Sequence, residues 1–257
     1  MIHPTAQVDA AAELASDVSV GAFSIIGPQV KIASGCRIGS HVVIKGPTEI
    51  GKNTSIFPFC SLGDDPQDKK FDPNGKSELI VGENNTIREY CSINRGTQGG
   101  GGVTRLGDDN WIMAYCHIAH DCQVGSNVIF ANNATLAGHV EIHDYAILGG
   151  FTGVHQFCRM GENSFSAISA VIVKDVPPFV IVDGNTARAR AINREGLRRR
   201  GFSKEVISAV KEAFKTVYKK GYTLNEAIDL LRNNSQDVAQ VKQFSEFIEV
   251  SQRGIVR

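Results

Sequence analysis

Neither sign of charge prevails in this chain: 27 Lys and Arg stand against 27 Asp and Glu across 257 residues. Such a balance sets up no global field that would draw nucleic acid or an anionic membrane. No apolar run approaches the roughly 20 residues of a membrane span. The opening Met-Ile-His-Pro-Thr-Ala has no basic region followed by an apolar run, so no signal peptide is expected and the protein is expected in the cytoplasm, without membrane insertion. Six cysteines are present, but no two are spaced C-x-x-C, which removes the simplest zinc and redox motifs. A run of four glycines at 99–102 lacks the Lys-Ser/Thr of a phosphate-cradling loop and opens no expected helix; it reads as a flexible excursion.

What the chain has instead is period six. Apolar residues recur every sixth position from Ile2 to Leu62, again at Val81, Ile87 and Ile93, and from Leu106 to Met160, with Ser166 an exception before Ile172. Two positions before each stands a small residue, facing the same way on an extended strand. All six cysteines (Cys36, Cys60, Cys91, Cys116, Cys122 and Cys158) occupy that small position, where free Cys behaves as a compact buried apolar group. Period six matches neither 3.6 nor 3.5, so an amphipathic helix is excluded. Hexapeptide repeats predict a parallel β-helix in which three hexads close one triangular coil of 18 residues.

The repeat defines a first domain over residues 1–185, interrupted by insertions near 64–79 and 97–104. Helical patterning then defines a second domain over 186–257. Ser203 is placed to cap a helix carrying Ile207, Val210, Phe214 and Val217, and Thr223 with Glu226 forms a capping box for the next. A third helix is expected after Ser235, carrying Val238, Val241, Phe244 and Ile248.

With 18 residues per coil, His120, Gly138 and Gln156 fall in step, as do Asp121 and His139. Rungs one strand spacing apart, roughly 4.8 Å, stack these polar residues at one place. Histidine suits proton transfer near neutral pH, and a carboxylate partner fixes its tautomer. His120 beside Asp121 supplies that pair in outline. Neighbours on a strand point oppositely, so Asp121 pairs either across a corner or with a His120 of another subunit; spacing leaves both open. Gly138 is placed to offer a backbone N–H to an oxyanion, while His117, His139, His155 and Gln156 would orient a polar substrate. A zinc site built from these histidines, and a solenoid serving only as a binding scaffold, are the other readings.

Together with the hexads, the segments His-Ile-Ala-His-Asp-Cys (117–122), Asn-Asn-Ala-Thr-Leu-Ala-Gly-His-Val (132–140), Val-His-Gln-Phe-Cys (154–158), Asp-Val-Pro-Pro (175–178) and Glu-Gly-Leu-Arg-Arg-Arg-Gly-Phe (195–202) carry a resemblance. The whole chain resembles the acyl-[acyl-carrier-protein]–UDP-N-acetylglucosamine O-acyltransferases, hexapeptide-repeat enzymes of lipid A biosynthesis. The resemblance implies a left-handed β-helix, against the right-handed habit of crossover connections, and a homotrimer with active sites between subunits. It implies no metal and no cofactor.

By the same resemblance His120 is general base, Asp121 its partner and Gly138 the oxyanion donor, for transfer of a 3-hydroxyacyl group from acyl carrier protein to UDP-N-acetylglucosamine. His117, His139, Gln156, Asp68 and Lys70 match substrate-positioning residues; Asn193, Glu195, Arg199 and Arg200 match the region that holds the nucleotide. Three positions depart from the family pattern. The first insertion reads Asp-Lys-Lys-Phe where Asp-Leu-Lys-Tyr is common. Asn94 stands where many members have His, which leaves a 3-hydroxyl or a 3-amino acceptor open. Ile168 stands where members using long acyl chains have Gly, which implies a preference for shorter chains.

Overall fold

The computed structural model describes residues 1–234 and 238–257. Hexads form strands mostly two residues long, and every third strand pairs in parallel, giving sheets of nine, eight and ten strands. The register is the expected one: Gln7 pairs with Ile25, His117 with Thr135 and Ile147 with Phe165. The result is a left-handed parallel β-helix of triangular section.

One aliphatic ladder shows how the coil is held. Ile26, Ile44, Leu62, Ile93, Ile118, Leu136, Val154 and Ile172 stack in the interior, all essentially buried. Each such side chain contributes about 1.5–3 kcal/mol on burial, and the ladder continues only while rungs stay in register. All six cysteines are buried and free. Several donate their thiol to a carbonyl of the next coil, as Cys60 does to Arg88 O at 2.9 Å and Cys91 to Met113 O at 3.1 Å. Ser166, the polar exception, is fully buried with its hydroxyl 2.9 Å from that of Thr152.

Corners impose a cost that the sequence period does not announce. Three residues after most of the buried aliphatics the backbone turns through positive φ, usually without glycine: Phe59 (64°), Asp121 (59°), Asn127 (58°), His139 (62°) and Phe157 (63°) are examples. Asn, Asp and His tolerate this region best. Along one edge aromatic rings occupy it and compensate by stacking on the rung below: Phe23, His41, Phe59, Tyr90 and Tyr115 form a column with centroids 4.8–5.2 Å apart.

The ten-stranded sheet ends in an antiparallel hairpin, Val180–Asp183 with Arg188–Ile192, so the solenoid's hydrogen bonding runs past residue 185 and the helices begin later than the sequence division at 186. They are α1 (Arg194–Arg199), α2 (Lys204–Tyr218), α3 (Leu224–Asn234) and α4 (Ala239–Glu249). Ser203 Oγ accepts from Val206 N, capping α2. Thr223 and Glu226 close the expected box, Thr223 N donating to Glu226 Oε2 at 2.8 Å and Glu226 N to Thr223 Oγ1 at 3.3 Å. Ser235, expected to precede the last helix, lies outside the described residues. Among those described, no helix is long and apolar enough to cross a membrane.

Candidate active site

Asp121 is the centre of the site, and the corner conformation puts it there. At φ 59° the chain turns directly after His120, so the two side chains meet across the corner within one chain: His120 Nδ1 lies 2.8 Å from Asp121 Oδ2. That resolves the alternative left by strand geometry. A carboxylate only accepts, so it fixes the proton on Nδ1 and leaves a lone pair on Nε2. The Asp121 side chain is wholly buried. Its Oδ1 accepts Thr97 N at 2.8 Å and its Oδ2 accepts Thr97 Oγ1 at 2.6 Å, while its own N–H donates to Thr104 Oγ1 at 2.8 Å. Both carboxylate oxygens thus have donors although the side chain is shut off from solvent.

Thr97 and Thr104 bracket the glycine run, which corrects its reading as a loose excursion. Residues 98–100 form a 3₁₀ turn, and a β-carbon on Gly100 would fall 2.2 Å from Asp121 Cγ and 2.5 Å from His139 Cε1. Gly100 lets the loop lie directly against the site, while Gly99 and Gly101 have open space around them. Thr104, two residues before Leu106, takes the small buried position of its hexad, whereas Thr97 lies outside the 18-residue register, and its one cue was its position at the start of an insertion.

Gly138 lies one rung from His120, as expected. A β-carbon there would sit 2.5 Å from His120 Cε1 and 2.7 Å from Nε2, so the imidazole occupies the space a side chain would need. Among the described residues the Gly138 N–H has no partner, while its carbonyl accepts from Phe157 N. His139 meets His120 edge-on at 5.1 Å, stacks on Phe157 at 4.4 Å and brings Nε2 within 3.8 Å of Asp121 Oδ2. Burial holds its pKa below the usual histidine value, opposed by the charges of Asp121 and Asp68. Asp68 belongs to the first insertion, where its Oδ1 accepts Lys70 N at 3.0 Å, and the Lys70 side chain is exposed. His117 is 2.7 Å from Ser92 Oγ, and burial lowers its pKa as well.

Other expected site residues stand apart. His155 and Gln156 are exposed, with His155 Nδ1 near Gln156 O and the Arg253 guanidinium. Asn193 is buried and occupied: its Oδ1 accepts Gly196 N, capping α1, and its Nδ2 donates to Asn163 O. Arg200 donates to Asn163 Oδ1 at 2.7 Å and lies over the Tyr145 ring. Glu195 bridges Arg198 and Arg199, which hold its carboxyl down to about 2. No hydrogen bond or ion pair among the described residues joins this segment to His120. Asn94 ties the base of the first insertion, its Nδ2 donating to Asp65 O at 2.9 Å, while its buried Oδ1 has no hydrogen-bond partner among the described residues. Ile168 projects from a corner, 71% exposed, beside Gly150.

His120, Asp121 and His139 offer three ligand atoms within 4.8 Å of one another, a spacing that could hold a metal ion.

Comparison with known proteins covers the whole chain. Residues 175–256 match the family model described as UDP N-acetylglucosamine O-acyltransferase, domain 2, and residues 11–46 and 104–138 match the bacterial transferase hexapeptide model. Acyl-[acyl-carrier-protein]–UDP-N-acetylglucosamine O-acyltransferases of Herminiimonas arsenicoxydans and Janthinobacterium sp. (strain Marseille) are 52% and 54% identical, over 100% of this chain and 99% of theirs. The crystal structure of the Francisella novicida UDP-N-acetylglucosamine acyltransferase superposes with a TM-score of 0.98 at 42% identity, over 100% of this chain and 94% of that one.

Proposed function

Because the chain belongs to the acyl-[acyl-carrier-protein]–UDP-N-acetylglucosamine O-acyltransferase family, we propose that it moves a 3-hydroxyacyl group from acyl carrier protein to the glucosamine 3-position of UDP-N-acetylglucosamine, the first step of lipid A biosynthesis, with His120 as general base. The observation that carries the residue assignment is the His120 Nδ1–Asp121 Oδ2 contact of 2.8 Å beside the partnerless N–H of Gly138.

In this reading Nε2 of His120 takes the proton of the sugar 3-hydroxyl as its oxygen attacks the thioester carbonyl. Negative charge moves to the carbonyl oxygen, where the Gly138 N–H donates to it. Collapse breaks the C–S bond, and the departing thiolate recovers the proton from the imidazolium. Asp121 holds the ring and stabilises its charge. His117 and His139, neutral near pH 7 because burial lowers both pKa values, orient the sugar with Asp68, Lys70, His155 and Gln156. Asn193, Glu195, Arg199 and Arg200 serve the nucleotide, two guanidinium groups suiting a pyrophosphate.

A homotrimer with the site between copies belongs to the same proposal, and the charge of the three outer faces supports it. Outward residues of the eight-stranded sheet include Glu13, Lys31, Glu49, Arg105, Glu141 and Arg159, a solvated pattern. Those of the nine-stranded sheet (among them Ile25, Val43, His117, Thr135 and Val171) carry no charge, and those of the ten-stranded sheet are mostly apolar beyond Thr86. Charge on the ten-stranded face is confined to its two ends, Arg37 at one and Arg188 and Arg190 at the other, and these two faces meet at the exposed ring column, the surface a second copy would cover.

A zinc enzyme on the same scaffold is the second reading, favoured by the three converging ligand atoms. Against it, Asp121 Oδ2 already accepts from both Thr97 Oγ1 and His120 Nδ1. Product formation from UDP-N-acetylglucosamine and 3-hydroxyacyl carrier protein, undiminished by a chelator, supports acyl transfer by side chains alone. Stoichiometric zinc with chelator-sensitive turnover contradicts it.

A further inference from the structure

The chain ends by returning to the solenoid. Ile255 pairs in parallel with Asp175, where Asp175 N donates to Gly254 O and Val256 N donates to Asp175 O, each at 2.9 Å. Ile255 and Val256 are buried, and Ser251 Oγ donates to Asp175 Oδ2 at 2.7 Å. Asp175 lies 18 residues beyond Phe157, so the C-terminal segment supplies one more rung above the corner that carries His139 and Phe157. Gly254, at φ 69°, turns the chain directly after Arg253, a conformation that suits glycine.

Arg253 is exposed although the backbone is anchored on both sides of it, and its Nη2 lies 3.4 Å from His155 Nδ1. It lines a groove of about 490 Å³ together with His139, Glu141, Phe157, Arg159 and Asp175. The other charges of the groove are already matched. Arg159 Nε lies 3.2 Å from Glu141 Oε2, and the two Asp175 oxygens accept Arg159 N and Ser251 Oγ. Arg253 has no carboxylate partner among the described residues. The His120 cluster has the complementary lack. Among the described residues no Lys or Arg makes a hydrogen bond or ion pair with His117, His120, Asp121 or His139. An acceptor sugar carried on a diphosphate brings negative charge into a site built around a carboxylate, and a nearby cation offsets that repulsion. His139 belongs to both the cluster and the groove, so the groove begins where the sugar is held.

We propose that Arg253 binds the phosphate adjoining the sugar of the nucleotide acceptor and so sets affinity for the diphosphate; this rests on the acyl-transfer reading. A guanidinium pairs bidentately with phosphate oxygens, and the extra rung holds this one in place before the ligand arrives. Its contribution is separate from that of Arg199 and Arg200, which no hydrogen bond or ion pair among the described residues joins to the His120 corner.

The test is calorimetric titration of wild type, Arg253→Gln and Arg253→Lys with UDP-N-acetylglucosamine, UDP and UMP. The Arg253 side chain is exposed and the rung is held by backbone bonds and by Ser251, so the fold should stand, with thermal midpoints matching wild type. Arg253→Gln is expected to bind UDP-N-acetylglucosamine and UDP about tenfold more weakly or worse, and UMP, which lacks the second phosphate, within about twofold of wild type. Arg253→Lys, a point charge without the planar fork, should recover part of the loss. In turnover the KM for the sugar nucleotide should rise while kcat at saturation stays near wild type. Equal binding of UDP by wild type and Arg253→Gln overturns the proposal. So does an equal loss for UDP and UMP, which marks a general collapse of the groove, and so does a fall in kcat at unchanged KM, which marks support of His155 instead. A wild type that binds UDP-N-acetylglucosamine through Arg253 but forms no acylated product supports the phosphate site and removes the acyl-transfer reading.

Discussion

Thr97 donates twice to Asp121, through its N–H at 2.8 Å and its hydroxyl at 2.6 Å. The insertion that carries Thr97 thereby fixes the carboxylate that fixes His120. Replacing Thr97 by Val keeps the N–H and removes the hydroxyl donor. A hydrogen bond to a charged group contributes about 1.5–3 kcal/mol, so kcat should fall roughly 10- to 100-fold. Steady-state kinetics check this, and Thr97→Ser, which keeps the hydroxyl donor, should restore the rate.

Gly138→Ala places a methyl group where His120 Cε1 and Nε2 now lie, at 2.5 and 2.7 Å. The backbone there is not in the positive-φ region, so the cost falls on the imidazole and not on the coil. Displacement of a reacting group by about 1 Å costs on the order of 10² in rate. Steady-state kinetics should show that loss, with the thermal midpoint of unfolding close to wild type.

Stability should decline as pH falls below about 6.5, the ordinary histidine value. Burial lowers the pKa of His117 and of His139 in the folded chain. Between the folded and unfolded values the unfolded state holds more protons, so stability rises with pH through that window and is lost as pH drops through it. His117→Asn should reduce the difference between thermal midpoints measured at pH 7.5 and 5.5.

Ile168 projects from a corner beside Gly150. Each buried methylene contributes about 0.8 kcal/mol, roughly fourfold in binding. If Ile168 closes the acyl track, Ile168→Gly should raise kcat/KM for longer 3-hydroxyacyl donors relative to shorter ones. An unchanged ranking across a donor series removes Ile168 from chain-length selection.

Much of this was legible in the residues, for a definite reason. A coil of fixed length turns sequence spacing into height, so His120 and Gly138 could be set one rung apart from position alone. The buried cysteines followed from the same rule. The Asp121–His120 contact was not legible, because it depends on positive φ at a corner occupied by a non-glycine residue. Thr97 and Gly100 reach the site from an insertion, where period carries no information. Asn193 shows what a motif leaves out: it associated the residue with nucleotide, but not with the amide's part within the chain, where it caps α1 and binds Asn163.

The central claim is that His120 accepts the sugar's proton. It is tested most directly by the rate of 3-hydroxyacyl transfer from carrier protein to UDP-N-acetylglucosamine, wild type against His120→Ala at saturating substrates. Loss of a general base should lower kcat by about 10²–10⁴, with binding of UDP-N-acetylglucosamine retained. Full turnover by His120→Ala would contradict the account.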